Sequence, residues 1–404
     1  MGVDVRRIGQ KELGRFIRLP YRLYRDDPNW VRPLYAAERE MLDADKNVFL
    51  KNGEHAFFMA FRDREAVARV LAGYNHPVST KTGVPNGYFA LFEAADRESG
   101  IAVLRAAEDY CRSLGTSRMV GPYSPTNGEE YRALLIEGFG FPPVLYAAYN
   151  PEWYKQLFET CGLVKSADLL AFKISTGTMP VERFRSIVSY AQMRFGFSSY
   201  RIDLNHLDRE LRDIQRILSE SAIDGWDTGI PTWEMIRQAA GSLKSMADPD
   251  FIQIVRRNDG RPLAFVVCLP NYNEALIHMN GRLFPFGMLK LLYWRKRIRS
   301  LRVMMQFCVR DYERTAAVSS AYLAIMEKAL EKGYEWGDAS TIGEENVKSW
   351  RAVQGAGGEG DDAGAGEALG LEAGAGPEQD DAAVVGPKGE EVEGVPFRPV
   401  GVGG

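Results

Sequence analysis

The sequence predicts an α/β (α+β) protein with two mixed-sheet domains in tandem and a disordered C-terminal tail. One order of strands and helices occurs twice within residues 1–354, in units of about 170 residues that are recognised by element order and not by identity. Residues 355–404, in contrast, consist mainly of Gly, Ala, Glu and Asp and contain too few large apolar side chains for a core. This tail carries 11 acidic and 2 basic residues, so the net charge of −4 leaves a mildly basic +5 for residues 1–354.

The first domain is predicted over residues 1–175, from the spacing of apolar residues and from turn signals. Its predicted elements are, in order, a hairpin of strands 56–61 and 66–73, a strand over 87–92, a helix over 101–111, a strand over 118–121, a loop over 122–128, a helix over 151–160 and a strand over 167–174.

Residues 176–247 are predicted to be a linker and helical region, and residues 248–354 a second domain. Its predicted elements are a hairpin of strands 251–256 and 262–269, strands over 275–280 and 302–309, a helix over 317–332 and a strand over 336–340. The helix that follows runs into the tail at Gln354, so this domain is expected to be incomplete at its C-terminus. A frameshift and a genuinely divergent terminus both account for such an end.

Composition excludes several classes of chemistry. The four cysteines and four histidines are scattered, so their spacing predicts no metal site, no redox motif and no Ser-His-Asp triad; they are Cys111, Cys161, Cys268, Cys308, His55, His76, His206 and His278. Buried structural thiols are the expected reading. The sequence has no apolar run long enough for a membrane span and no apolar signal segment at its start, which predicts a soluble, cytoplasmic protein.

Several motifs together resemble the GNAT superfamily of acyl-CoA-dependent N-acyltransferases, and in particular a bacterial group of tandem GNAT-like proteins whose substrates are mostly unassigned. The resemblance covers nearly all of residues 1–354. The segments that carry it are Asp27–Pro33, Val120–Asn127, Glu137–Pro143, Tyr149-Asn150, Cys161–Leu163, Val309–Leu323 and Ser340–Asn346.

The resemblance implies a co-substrate, acetyl-CoA or another acyl-CoA, whose pyrophosphate is held at the start of a helix. In the second domain this position corresponds to Arg314, Thr315, Ala316 and Ala317. Glu345 and Asn346 match the family pattern after a strand, which implies a catalytic role for Glu345 and cofactor binding for Asn346. The usual glycines are absent, so an ordinary helix start is the alternative. The first domain is expected to be degenerate for CoA, because its helix opens with a single glycine, Gly100.

Acyl transfer to an amine needs a proton acceptor and an acid for the leaving thiolate. In the first domain Glu137 is the predicted acceptor and Tyr154 the predicted acid, because the family position for the acid is occupied here by Phe158. The predicted substrate-binding residues are Asn127, Tyr146, Tyr149 and Asn150. The alternative is that these tyrosines are half-buried packing residues and that the glutamates are solvated.

Residues 289–302 combine six basic residues with leucines and aromatic side chains, which predicts one amphipathic helix. Such a helix can contact an anionic membrane or attract an acidic acyl-CoA, whereas the alternative is a solvated surface helix. No motif indicates nucleic acid as a partner.

The predicted function is transfer of an acyl group from CoA to a small-molecule or lipid-like amine acceptor. The alternative is a non-catalytic GNAT-fold protein that binds a ligand or acts as a scaffold. A damaged gene product of low stability is a third reading of the unusual C-terminus.

Overall fold

A computed structural model of the chain shows two seven-stranded sheets within the residues that it describes. Those residues are 2–75, 85–221, 231–347, 349, 353–354, 358–360 and 371–374. The strands are β1 (Asp4–Ile8), β2 (Glu54–Arg62), β3 (Glu65–Tyr74), β4 (Asn86–Ala94), β5 (Arg118–Gly121), β6 (Leu163–Lys165), β7 (Leu169–Ser175), β8 (Phe197–Arg201), β9 (Ile252–Arg257), β10 (Pro262–Pro270), β11 (Ser300–Cys308), β12 (Trp336–Gly343), β13 (Gly358–Gly360) and β14 (Leu371–Gly374). The helices are α1 (Leu13–Leu23), α2 (Tyr35–Met41), α3 (Val48–Lys51), α4 (Arg97–Ser113), α5 (Trp153–Thr160), α6 (Val181–Phe195), α7 (Leu207–Glu220), α8 (Trp233–Leu243), α9 (Asn273–Leu276), α10 (Gly287–Trp294) and α11 (Ala317–Glu331).

The first sheet has the strand order β1-β2-β3-β4-β5-β14-β6. Neighbours from β1 to β4 are antiparallel, and α4 connects the parallel strands β4 and β5. The β2–β3 hairpin turns at Asp63 and Arg64, whose φ angles of 51° and 67° are those that the tight turns of hairpins favour. The predicted hairpin and the predicted helix of this unit are therefore confirmed.

The second sheet has the order β13-β7-β12-β11-β10-β9-β8. Strands β8 to β11 are antiparallel neighbours, and α11 connects the parallel strands β11 and β12. The sequence β2-β3-β4-α4-β5 of the first sheet thus recurs as β9-β10-β11-α11-β12 in the second. This recurrence is the duplication that the element order predicts, and the predicted tandem mixed-sheet fold is confirmed.

Two strands have partners that the sequence did not indicate. β7, which was expected to complete the first unit, pairs with β12 in the second sheet, where Phe172 and Ile174 pack with Ala339. β8 lies inside the region predicted to be helical and forms the outer neighbour of β9. The periodicity of a strand is local, whereas the strand with which it pairs is set by distant residues.

Two other segments differ from their predicted structure. Residues 275–280, expected to be a strand, contain the end of the short helix α9, because a short apolar run does not distinguish the two structures. Residues 289–302 do not form a single helix: α10 ends at Trp294, a 3-10 turn follows, and β11 begins at Ser300. Pairing of β11 with β10 draws Arg302 into the interior.

The first sheet has an apolar core on each face, and the second sheet packs with helices in a third core. One core packs β9, β10, α7 and α11 together, and the first sheet has a separate core on each side. All four cysteines are free thiols: Cys111 and Cys268 are buried, as expected, and Cys161 and Cys308 are half-buried. Burial raises the pKa of the Cys111 thiol to about 12.

The tail adds one short strand to each sheet. β13 pairs with β7, and β14 lies between β5 and β6 and pairs with both. These two segments differ from the predicted disorder, because they occupy sheet positions whose backbone groups otherwise lack partners. The remainder of the tail, with that part of the prediction, lies outside the described residues.

Candidate active site

A carboxylate and two tyrosines of the first unit lie together beside the second unit. Glu38 on α2 is 5% exposed, and the Tyr131 hydroxyl donates to its Oε1 at 2.7 Å. The Tyr131 backbone N–H donates to the Tyr146 carbonyl at 3.1 Å. Burial raises the pKa of Glu38, although the Tyr131 hydrogen bond and the Arg69 charge oppose the rise. Glu38 is therefore a stronger base than an exposed carboxylate.

The loop that carries the two tyrosines holds an unusual backbone. Asn127, Tyr131, Ala133 and Tyr146 all have positive φ, at 64°, 55°, 77° and 65°. Each such residue other than glycine costs about 1 kcal/mol or more, so it persists only where its surroundings enforce it. Four of them in twenty residues indicate that the surrounding structure holds the loop in one shape.

Hydrogen bonds fix this loop against the second unit. The Leu145 N–H donates to Asn271 Oδ1 at 2.9 Å, and Arg302 Nη1 donates to the Leu145 carbonyl. Leu145 and Tyr146 also pack with Met304 in one apolar cluster. Tyr146 thus faces β11, on the portion of the strand that follows Arg302.

That portion of β11 is where it separates from β12. The two strands pair over Ser300–Arg302 and Trp336–Asp338, and residues 303–308 of β11 are all half-buried. Arg302 is 0% exposed, and its Nε and Nη2 atoms find no hydrogen-bond partner in the part of the chain that the structure describes. Burial raises the pKa of Asp338, and the Arg302 charge lowers it. The separation leaves an edge of β11 open beside Tyr146.

The helices that follow β4 and β11 begin differently. At α4, the Asp96 side chain accepts a hydrogen bond from the Ser99 N–H at 2.9 Å and pairs with Arg62 at 2.7 Å. At α11, no side chain caps the helix, and the preceding Ala316 is left-handed with φ of 61°. Arg314 is exposed beside this start and has no ion-pair partner within the described residues. An anion therefore fits the start of α11, whereas Asp96 already occupies the start of α4.

A second buried carboxylate lies within the first unit. Glu93 on β4 is 8% exposed, and its Oε2 accepts hydrogen bonds from the hydroxyls of Tyr24 at 2.7 Å and Tyr154 at 3.1 Å. Burial raises its pKa to about 7, although Arg69 and the two hydroxyls lower it. Arg69 lowers the pKa of Glu38 as well, so one buried guanidinium influences both carboxylates.

A cleft of about 390 Å³ opens above this second cluster. Its lining includes Tyr24, Asp27, Tyr149 and Asn150. The Tyr149 hydroxyl donates to Asp27 Oδ2 at 2.6 Å. Burial is the main cause of the raised pKa of Tyr149, and this hydrogen bond contributes to it. The Asn150 carboxamide, in contrast, is bonded to the backbone of Leu135 in both directions, which fixes the loop.

The predicted site residues fall into separate groups. Tyr149 and Asn150 line the cleft, Tyr154 is bonded to Glu93, and Tyr146 lies near Glu38. The Tyr154 hydroxyl is buried and accepts the Ala94 N–H at 2.7 Å, so it helps to fix the end of β4. The Asn127 side chain accepts the Tyr123 hydroxyl at 2.7 Å.

The remaining predicted residues lie apart from both carboxylate clusters. The Thr315 hydroxyl donates to the Tyr312 carbonyl at 2.7 Å, which leaves the backbone of the α11 start uncovered. Glu137 is exposed on its loop, and Glu345 and Asn346 are exposed in the turn after β12. Within the described residues, no hydrogen bond joins these three side chains to Glu38 or Glu93.

Sequence reasoning missed Glu38, Glu93 and Arg302. A signal was present for Glu93, because it is the one acidic residue of β4, a strand that is otherwise apolar in its second half. Arg302 likewise is a charged residue next to apolar residues, Ile298 and Leu301, that are buried. For Glu38 the local sequence gives none, since its environment is formed by a loop almost a hundred residues later.

Two sheets in tandem, each with a parallel strand pair joined by a helix, define a GNAT-type fold. Among solved structures, the chain is similar to a tandem GNAT protein from the clavulanic acid biosynthesis pathway, with a TM-score of 0.53 and 10% identity over 93% of this chain and 100% of that one. It is also similar to a GCN5-related glucosamine N-acetyltransferase region of a fungal multi-domain GH3 β-N-acetylglucosaminidase, with a TM-score of 0.53 and 12% identity over 92% of this chain and 38% of that one. At such identities these likenesses show the fold alone.

Two proteins are similar in sequence over most of their length. The bacterial ceramide synthase of Caulobacter vibrioides is 34% identical over 294 residues, which are 72% of this chain and 75% of that protein. Protein YghO of Escherichia coli is 31% identical over 300 residues, 73% of this chain and 75% of that protein. No family model matches the chain. The chain belongs to the family of these two proteins, a bacterial group of GNAT-type acyltransferases.

Proposed function

We propose that the protein transfers an acyl group from an acyl-CoA to an amine, and that the reaction takes place where Tyr146 of the first unit faces β11 of the second. The observation that carries this proposal is Glu38. It is a buried carboxylate of raised pKa, held by Tyr131, beside a loop that is itself fixed against the separating strands of the second unit. Buried groups of shifted pKa at such a junction are characteristic of catalytic sites.

The chemistry assigns a role to each group. As the amine nitrogen bonds to the acyl carbon, the C–S bond breaks, the nitrogen loses a proton and the thiolate gains one. Glu38 accepts the amine proton, directly or through a water molecule. Tyr146 supplies the proton to the sulfur, because burial raises its pKa and keeps the phenol protonated at neutral pH. Exchange with solvent restores both groups between turnovers.

The start of α11 is the proposed site for the phosphates of the acyl donor. Backbone N–H groups of its first turn and the exposed Arg314 would hold phosphate oxygens, and the bound coenzyme would supply the thioester. The start of α4 does not suit this role, because the Asp96 carboxylate would repel an anion there. The donor is therefore assigned to the second unit.

For the acceptor we propose a long-chain amine. One relative is named as a bacterial ceramide synthase, and ceramides are N-acyl derivatives of long-chain amino alcohols. An acyl-CoA with a long-chain amine is thus the first substrate pair to test, together with a short water-soluble amine.

Glu38→Gln tests the assignment directly. The variant should lower kcat by about 100-fold with little change in KM for the acyl-CoA, which is the usual effect of removing a general base. Glu159→Gln is the matched control, because Glu159 is exposed on α5 and its side chain makes no hydrogen bond within the described residues. Equal rates for the wild type and Glu38→Gln would remove Glu38 from the mechanism.

Arg314→Ala tests the donor site separately. It should raise KM for the acyl-CoA and leave kcat largely unchanged, whereas Arg183→Ala, at an exposed position on α6, should change neither. An unchanged KM in Arg314→Ala would remove the start of α11 as the donor site.

The second candidate function is a GNAT-fold protein that binds acyl-CoA without transfer. The absence of a glycine-rich loop before α11 and the buried Phe158 at the family position of the acid favour it. In that case calorimetry would detect saturable acyl-CoA binding that Arg314→Ala weakens, and no amine would be acylated.

A further inference from the structure

Residues 282–299 form an exposed surface that is both apolar and basic, here called the 282–299 surface. Phe284, Phe286 and Leu289 are 76%, 69% and 66% exposed. The further exposed apolar side chains are Met288, Leu292 and Tyr293. Large apolar side chains grouped in this way mark an interaction site, since soluble proteins seldom leave them in water.

The same surface has charge of a single sign. Its six basic side chains are all exposed: Arg282, Lys290, Arg295, Lys296, Arg297 and Arg299. No Asp or Glu occurs between residues 281 and 299. Within the described residues, Arg299 is the one of these six that forms an ion pair, with Glu335 at 3.9 Å. A partner of this surface must therefore be negatively charged.

The exposed aromatic side chains are not part of the core. On α10 and the turn after it, Leu291, Trp294 and Ile298 pack inward with Leu145 and Tyr272. Phe284, Phe286 and Leu289 do not belong to this cluster. A Cβ atom at Gly287 would lie 1.9 Å from the Arg282 carbonyl oxygen, so glycine is required for the tight turn that presents Phe284 and Phe286.

We propose that the 282–299 surface binds an anionic lipid bilayer. Phe284, Phe286 and Leu289 insert among the upper acyl chains, and the surrounding basic side chains contact headgroup phosphates. Apolar groups flanked by Lys and Arg are the pattern of proteins that lie on membranes. Within the described chain, no helix is long and apolar enough to cross a membrane, so this contact is peripheral.

The surface is joined to the element that carries Glu38. The Gly281 carbonyl accepts a hydrogen bond from the Tyr35 N–H at 3.2 Å, at the first residue of α2. Binding to a bilayer through this surface therefore brings α2 close to the lipid. The inference rests on exposure and charge alone and does not depend on the proposed reaction.

Vesicle flotation of the full chain tests the inference. We expect binding to vesicles of phosphatidylcholine with phosphatidylglycerol, and binding at least about ten-fold weaker to phosphatidylcholine alone. Raising the ionic strength should weaken binding to the anionic vesicles and should not weaken binding to phosphatidylcholine alone. The triple change Phe284→Ser, Phe286→Ser and Leu289→Ser should lower binding to the anionic vesicles by about ten-fold or more, without loss of fold, since all three side chains are exposed.

The matched control removes three exposed apolar side chains elsewhere, by Ile187→Ser, Tyr190→Ser and Met193→Ser on α6. This variant should bind vesicles as the wild type does. Three results would overturn the inference: folded wild type that does not float with anionic vesicles, an equal loss in the control variant, or a concentration-dependent dimer that the 282–299 changes abolish without any vesicle binding. The last would assign the surface to a second copy of the chain.

Discussion

Replacing Glu93 with glutamine should change how the stability of the protein depends on pH. Glu93 is 8% exposed on β4, and its pKa rises from 4.5 to about 7, mainly through burial. Because its pKa is higher in the folded than in the unfolded chain, protonation of Glu93 favours folding. This contribution is fully present below about pH 4.5 and is lost as the pH rises through about 7.

The size of the effect follows from the difference between the two pKa values. A rise from 4.5 to about 7, at 1.36 kcal/mol for each unit, corresponds to about 3 kcal/mol of unfolding free energy. Glutamine keeps the length of the side chain and an oxygen that accepts the Tyr24 hydroxyl, and it carries no charge at any pH. Relative to the wild type, Glu93→Gln should therefore gain about 3 kcal/mol between pH 4.5 and pH 8.

Urea unfolding of both proteins at several pH values measures this difference, because the remaining titrating groups are common to both. Glu159→Gln serves as the control, since an exposed carboxylate should give a difference that is constant with pH. If the difference between Glu93→Gln and the wild type were equally constant, Glu93 would not be the buried, protonated group that its surroundings require.

Two further changes test the starts of the helices by the same unfolding measurement. Asp96→Ala removes the side-chain hydrogen bond to the Ser99 N–H and should lower stability by about 1 kcal/mol; no loss would mean that water replaces the cap. Ala316→Gly relieves a φ of 61° and should raise stability by about 1 kcal/mol, whereas Ala316→Val should lower it, and the opposite order would argue against a left-handed residue there.

Much of the fold is encoded in local sequence. The β2–β3 hairpin, α4 and α11 each follow from periodicity and turn residues within a short window, and all three occur as predicted. The partner of β7 does not follow in this way. Its pairing with β12 depends on which sheet edge is open once the chain has folded, which a local pattern does not contain.

The candidate site shows the same division. Tyr146 and Tyr149 were singled out because polar residues are concentrated around them; Tyr146 lies near the buried Glu38, and Tyr149 is bonded to the half-buried Asp27. The buried carboxylates themselves, Glu38 and Glu93, lie far from these two tyrosines in sequence. For Arg302 the local sequence was misleading. It lies at the end of a basic stretch that predicted an exposed helix, whereas pairing of β11 with β10 buries it.

The two units differ at equivalent points, and the differences are complementary. After β4 the helix start is occupied by the Asp96 carboxylate, whereas after β11 the start is free of side-chain caps. The first unit, in turn, supplies the buried Glu38 and the loop that ends at Tyr146. Because that loop is bonded to Asn271 and Arg302 of the second unit, Glu38 and the uncapped start of α11 come from different units that hydrogen bonds hold together. We infer that duplication of one unit, followed by divergence of the two copies, produced this arrangement.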